Sequence, residues 1–359
     1  MLNARSQIAF DGDRIQAVQI KWDSEDRPLW KTLDSMPIES SIKWIDRFCP
    51  FESISAAWAM SRTIEKAHKI VVTNRTEFLR TIYAEVQRLA WSFNYLSRVF
   101  KAMDDSIRTQ QIFRLREQVF EGQEFLTGSR ILPQIFCIGG IERDLSIGER
   151  KKLKALIRNI EYELRLYFRD LPMDQLTMKR LIGLLPISKE QALSMGLFGP
   201  FGQASGTKRD LRKDSPYGIY NQFEIRTFDT KSTTDWFEDK KFLESSGDAL
   251  TRLRSVFFQL RQSLALIEFA TDKIPEGPIK VEWNQKVDVP EKYWSEGVES
   301  GSGPLFAIAC EKRLRLVSHS MRMVGVVEKL ASNLYADDYE LAVASLGVEF
   351  GQSDLCGSY

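Results

Sequence analysis

Histidine is nearly absent from this chain, with two in 359 residues, His68 and His319. That argues against a histidine-built metal site and against a Ser-His-Asp triad. Cysteine is also sparse. Cys49, Cys137, Cys310 and Cys356 lie far apart with no CxxC pair, a usage that fits a reducing cytoplasm better than a disulfide framework. An excess of either charge is missing too, with 50 basic against 49 acidic side chains. No global field exists to recruit nucleic acid or an anionic membrane, and nucleic acid is not an expected partner. The local basic runs 149–154 and 208–213 are interleaved with acids and read as solvated faces or subunit contacts. No window approaches the ~18 consecutive apolar residues of a membrane span, and the opening residues show no secretory signal. Any membrane association is expected to come through partner subunits. There is no G-x-x-x-x-G-K-S/T and no G-x-G-x-x-G after a strand, so the chain itself is not expected to bind NAD.

What is present is enough apolar residue, 43%, for one large core or two smaller ones. Residues 6–20 hold two short alternating runs meeting at Asp11-Gly12, which predicts an N-terminal β-hairpin. Residues 52–69 read as a helix rich in small residues. Asn74 with Glu77 forms an N-x-x-E start signal. After it, Phe78, Ile82, Val86, Leu89, Phe93, Leu96 and Phe100 repeat in steps of four and three, one apolar face of a long helix. Ser146 with Glu149 opens another, striped by Leu153, Ile157, Ile160, Leu164 and Tyr167. A third carries Leu250, Leu253, Phe257, Leu260, Leu264 and Ile267. Such stripes must be buried against one another, which predicts a helical bundle. The Gly/Pro-rich stretches 183–223 and 272–305 read as irregular loops. His68 reads as an exposed residue closing a helix, and His319 as polar surface or interface after a strand carrying Arg313 and Arg315. The expected organisation is a small β element over 1–45 and one helical domain over 46–359, mainly α with small β parts.

Two stretches are more specific. In 113–145, Phe113, Arg114, Arg116 and Glu117 give F-R-x-R-E, Thr127, Gly128 and Arg130 give T-G-x-R, and Ile138-Gly139-Gly140 with Asp144-Leu145 gives I-G-G-x-x-x-D-L. In 199–217, Gly199-Pro200, Ala204-Ser205-Gly206, Asp210, Arg212-Lys213 and Pro216-Tyr217 follow in order. Without any family, these read as scaffold: buried arginines paired with carboxylates lock helices in register, as Arg116, Glu117 and Arg130 could, and paired glycines permit tight turns. Together, at this spacing, they resemble the D (49 kDa) subunit family of NADH-quinone oxidoreductase, the respiratory complex I. That family shares a superfamily with the large subunit of nickel-iron hydrogenases. The resemblance runs from about residue 47 to 220 and more weakly onward. It implies the helical bundle of that type and a surface, including Arg114, Arg116, Glu117, Arg130, Asp144, Asp210 and Arg212, that packs on an iron-sulfur small subunit. It further implies a complex with iron-sulfur clusters that passes electrons toward quinone, peripheral on the inner face of the membrane.

The reactive residues depart from the pattern. Quinone reduction needs proton donors, and the family supplies a tyrosine, a histidine and an aspartate. The tyrosine position here is Pro50, the H-P-x-x-H-G loop of the histidine has no counterpart, and the aspartate position is Ala102. Asp104 and Asp105 stand close by as candidate proton carriers. The arginine of the family's R-A-S-G is Gln203, and the histidine after T-G-x-R is Leu132. Of the four hydrogenase thiolates, one of each pair remains: Cys49 with Glu52 in the second position, and Cys356 after Asp354. The arginine that would cover the site is Ser302. A remnant locus of Cys49, Glu52, Asp354 and Cys356 would present a mixed S/O set to a metal such as zinc. The other reading has the cysteines buried as small hydrophobes, with no metal or cofactor held by this chain. Two function readings follow: a working subunit in electron transfer toward quinone, or a catalytically degenerate scaffold that keeps the fold and the partner surface.

Overall fold

The structure is a computed structural model that describes residues 4–22, 29–45, 51–171, 174–229, 247–282, 287–332 and 334–348. The hairpin signal at Asp11-Gly12 folds as read. Strands β1 (Ala4–Asp11) and β2 (Arg14–Trp22) pair antiparallel, with a register shift at Ala9/Phe10. Short helices α1 (Leu29–Asp34) and α2 (Ile38–Trp44) lead to α3 (Ser53–Ala67). The bundle proper is α4 (Asn74–Ala102), α5 (Ser106–Thr127), α6 (Ile147–Phe168) and the later α11 (Ala249–Lys273). Between α5 and α6, β3 (Phe136–Cys137) and β4 (Gly140–Ile141) form a tight two-strand turn. Four short helices, α7 (Gln175–Leu181), α8 (Lys189–Ser194), α9 (Gly199–Ala204) and α10 (Leu211–Asp214), run between α6 and α11. Then β5 (Trp294–Glu299), β6 (Pro304–Cys310) and β7 (Arg313–Val317) make an antiparallel sheet in that order. Helices α12 (Ser320–Leu330) and α13 (Tyr339–Ser345) follow.

The three apolar stripes drive the packing. Every stripe residue of α4 and α11 is buried, and α4 packs on α5, α11 and α13 while α6 closes against α5 and α11. Each such large side chain contributes about 1.5–3 kcal/mol on leaving water. On α6, Leu153, Ile157, Ile160 and Leu164 are buried, but Phe168 rather than Tyr167 completes the stripe. Tyr167 is half-buried, its hydroxyl donating to Glu163. The Ser146–Glu149 capping box is present in both directions. The α4 start differs by one residue from the expectation: Thr73, not Asn74, caps it, its Oγ1 accepting from the Thr76 N–H at 3.1 Å. The region 272–305 is less irregular than expected, since it supplies β5. Helix α3 lies across β5 and β6, so its N-terminus meets the loop joining those strands. The hairpin joins the same hydrophobic cluster through Ile15, Val18 and Ile20, and the Ile20 N–H donates to Glu328 on α12 at 2.8 Å. No helix among the described residues is long and apolar enough to cross a membrane.

Candidate functional site

The N-terminus of α3 places Glu52 in the interior, 1% exposed. Its side chain does not cap its own helix. It reaches across to the β5–β6 loop, where Glu52 Oε1 accepts from Ser300 Oγ (2.6 Å), Ser302 Oγ (2.6 Å) and Ser302 N (3.1 Å). The loop is itself a tight turn closed by Ser300 N donating to Gly303 O at 2.8 Å. Close approach requires glycine at Gly301 in the loop and at Gly199 of α9, which faces it. A Cβ on Gly301 would stand 2.6 Å from Trp91, and one on Gly199 would stand 2.5 Å from Gly303 Cα. Beside the loop, Trp91 stacks on Tyr95 and meets Phe201 edge-on, and Phe201 lies parallel to the His319 ring at 6.4 Å. His319 is 2% exposed. The surface or interface position expected for it is therefore overturned: it sits inside the chain, where β7 turns into α12, against the Gly303 backbone.

Adjoining this locus is a fully buried charged network. Arg88 on α4 donates to the carbonyls of Glu299 and Ser300, both at 2.5 Å, and pairs with Glu85 at 3.0 Å. Glu85 also accepts from Tyr220 (2.7 Å) and Ser263 (2.6 Å) and lies 3.4 Å from Arg212. Arg212 forks onto Asp210 at 2.8 and 3.1 Å. Glu299 accepts from the Leu211 N–H at 2.9 Å, and its own N–H donates to Tyr217 at 2.7 Å. Burial works against ionising Glu85, yet the charges of Arg88 and Arg212, with the two hydroxyl donors, hold its carboxyl down at about 2. Glu299 goes the other way. Burial first, then the charge of Asp210, push its carboxyl up to about 8.

The remaining expected residues fall elsewhere. Cys49, Asp354 and Cys356 lie outside the described residues. Ala102 ends α4, fifteen positions beyond Gln87, which bonds to Ser53 and Ser55 beside Glu52. At 1.5 Å per residue that is about 22 Å along the helix. Asp105, close to it, accepts from the Arg108 N–H as cap of α5 and pairs with the Arg108 guanidinium at 2.6 Å. Asp104 takes a left-handed φ of 58° at the same corner. Arg114 is exposed, 3.7 Å from Glu163. Arg116 lies over Phe113 and Phe120. Glu117 pairs with Arg130, whose side chain is 39% exposed, so this pair is not the buried lock the sequence suggested. Asp144 pairs with Arg75 at 2.8 Å, and Asp210 with Arg212 as above. His68 is half-buried, its Nε2 2.8 Å from Asp288 O. Gln203 accepts from the Phe228 N–H at 2.8 Å. Among the described residues no group of three or more His, Cys, Asp or Glu is arranged to hold a metal ion.

Residues 108–302 match the family described as "Respiratory-chain NADH dehydrogenase, 49 Kd subunit". The chain belongs to that family. It is similar along nearly its whole length to the D subunit of NADH-quinone oxidoreductase from Clostridium beijerinckii, 27% identical over 356 residues, covering 98% of this chain and 92% of that one. It is likewise similar to the D subunit from Carboxydothermus hydrogenoformans, 29% identical over 357 residues, covering 97% and 93%. The C/D subunit of Bacteroides fragilis is 29% identical over 304 residues, 83% of this chain and 54% of that longer one. The 49 kDa family motifs thus sit on real structural joints. The I-G-G turn is bound by Arg80, and D-x-R is the Asp210–Arg212 fork. The buried ions Glu65, Arg80, Glu85, Arg88 and Arg252 were missed by the sequence reading. One signal existed: Glu85 and Arg88, three apart on a helix, lie on the same face and can pair.

Proposed function

We propose that this chain is a subunit of an NADH-quinone oxidoreductase complex, that it packs on an iron-sulfur subunit as part of the wall past which electrons move toward quinone, and that the locus around Glu52 holds this wall together instead of doing chemistry. The observation that carries the last point is the threefold acceptance by Glu52 Oε1 from Ser300 and Ser302. A carboxylate at the second thiolate position and a serine at the covering-arginine position bond to each other. That ties α3 to the β5–β6 loop. Supporting it, the quinone-side tyrosine and aspartate positions hold Pro50 and Ala102. Asp105, three residues past Ala102, serves as helix cap and ion-pair partner. The clusters and the quinone belong in this reading to the assembled complex, held to the inner face of the membrane by partner subunits.

Purification from the native host in mild detergent tests the reading. Expected are an iron-sulfur subunit in the same particle, NADH-driven quinone reduction by that particle, and less than one metal ion per chain when this subunit is separated from it. A particle without iron-sulfur protein would contradict the partner. A stoichiometric metal lost on replacing Cys49 and Cys356 would contradict the structural locus.

A further inference from the structure

The network beside the β5–β6 loop contains more acid than base. From α4 come Glu85 and Arg88, from α10 and its cap come Asp210 and Arg212, and from β5 comes Glu299. All five are 3% exposed or less. That is three carboxyl groups against two guanidiniums. The other elements packed on Glu299 do not correct the balance. Tyr217 and Tyr220 offer hydroxyls, whose ionisation burial opposes, and α11 offers Ser263. On α3, Arg62 is already paired with Glu296 at 2.6 Å while lying over the Tyr217 ring, and Glu52 brings another carboxyl group behind Ser300. The guanidiniums are also committed: Arg212 to Asp210 and Glu85, Arg88 to Glu85 and the two loop carbonyls. Glu299, by contrast, has a backbone N–H as its bonded donor, on Leu211, the residue directly after Asp210. An uncompensated negative charge in a dry core is far costlier than a neutral carboxyl group.

We propose that Glu299 holds a proton inside the folded protein at neutral pH, so that this part of the core is a proton-binding site. With that proton in place the five-residue network carries two carboxylates against its two arginines and is neutral. Glu299 is the holder because its bonded donor is a backbone N–H, whereas Asp210 takes both prongs of the Arg212 guanidinium. The site lies one residue from Ser300, so releasing the proton places a bare charge beside the turn that Glu52 anchors. The inference does not depend on the subunit's partners or on quinone.

Linkage gives the test. The folded state keeps the proton to higher pH than the unfolded chain does. The stabilising contribution is therefore full below the unfolded carboxyl range, falls as pH rises, and is gone above about pH 8. Denaturant unfolding of the full chain is compared with Glu299→Gln from pH 5 to 9.5. The amide mimics the protonated acid and cannot ionise. The ratio of the wild-type to the Glu299→Gln unfolding constant should grow about tenfold per pH unit up to about 8, then level off. Asp210→Asn removes one acid, and the pH dependence assigned to Glu299 should move to lower pH in it. Infrared spectra of the wild type at pH 7 should show a protonated-carboxyl band that disappears by pH 10. A ratio independent of pH, no such band, or a Glu299→Gln chain that does not fold at pH 7 would each overturn the proposal.

Discussion

Arg80 and Glu65 meet in a two-pronged ion pair in the core, Nη1 to Oε2 at 2.9 Å and Nη2 to Oε1 at 2.7 Å. The same guanidinium donates to the carbonyls of Cys137 and Gly140, and the same carboxylate accepts from the Gly139 N–H. One pair thus fastens α3, α4 and the I-G-G turn at a single point. Removing one partner strands the other charge in a medium that cannot solvate it. Arg80→Met is expected to cost about 3–5 kcal/mol, measured by denaturant unfolding. Replacing Arg130, whose pair with Glu117 stands in water, should leave the unfolding midpoint nearly unchanged. Equal effects at the two sites would refute the distinction.

Glu85 fixes the acid side of stability. Its folded carboxyl lies at about 2, below the unfolded value near 4.3. It therefore contributes stability above the unfolded value, lost as pH falls from there toward 2, on the order of 3 kcal/mol. Unfolding free energy measured between pH 5 and 2 should drop in the wild type. Glu85→Gln should be less stable at pH 6 and should lose less on acidification. A variant with the wild-type acid slope would contradict this.

Arg252 is a buried guanidinium held by neutral acceptors: the carbonyls of Leu185 (2.9 Å) and Gly247 (2.6 Å) and the hydroxyl of Ser345 (2.8 Å). Burial lowers it to about 10. Arg252→Met leaves several acceptors without donors, each worth about 1–3 kcal/mol. Calorimetry should show a substantially lower unfolding temperature, and a change within error would mean that water fills the role.

Gly301→Ala drives a methyl group into Trp91. The expected cost is about 1–3 kcal/mol, with a shift in tryptophan fluorescence as the loop gives way. An unchanged spectrum and midpoint would mean that the loop moves freely.

Much of the fold was legible in the sequence because apolar stripes report which face is buried. The stripes of α4, α6 and α11 did so, and Asp11-Gly12 marked the hairpin. The β5–β7 sheet was harder. In β6, buried Leu305, Ala307 and Ala309 alternate with half-buried Phe306, Ile308 and Cys310. Both faces are apolar, so the period of two leaves no trace. The buried ions failed for a related reason. Arg80, Glu85 and Arg88 sit off the stripe of α4, where charge ordinarily means a solvated face. The packing of α3, α10, α11, the I-G-G turn, Tyr220 and the β5–β6 loop over that face encloses them, and that is a fact of tertiary structure. Glu52 stood out at the second thiolate position and Ser302 at the covering-arginine position, while Ser300 carried no such mark and nothing in the sequence showed that these side chains, some 250 residues apart, bond to each other.

The most direct test of the account is to place Glu52→Gln and Glu52→Ala in the assembled complex and to measure subunit retention together with quinone reduction. If Glu52 is a structural tie, Ala should loosen the subunit and lower the yield of complex. Gln, which still accepts from both serines, should preserve it, and whatever complex assembles should keep the wild-type KM for quinone and pH profile. A Glu52→Gln complex that assembles fully yet loses quinone reduction, or shifts its pH profile, would contradict the account and return Glu52 to the chemistry.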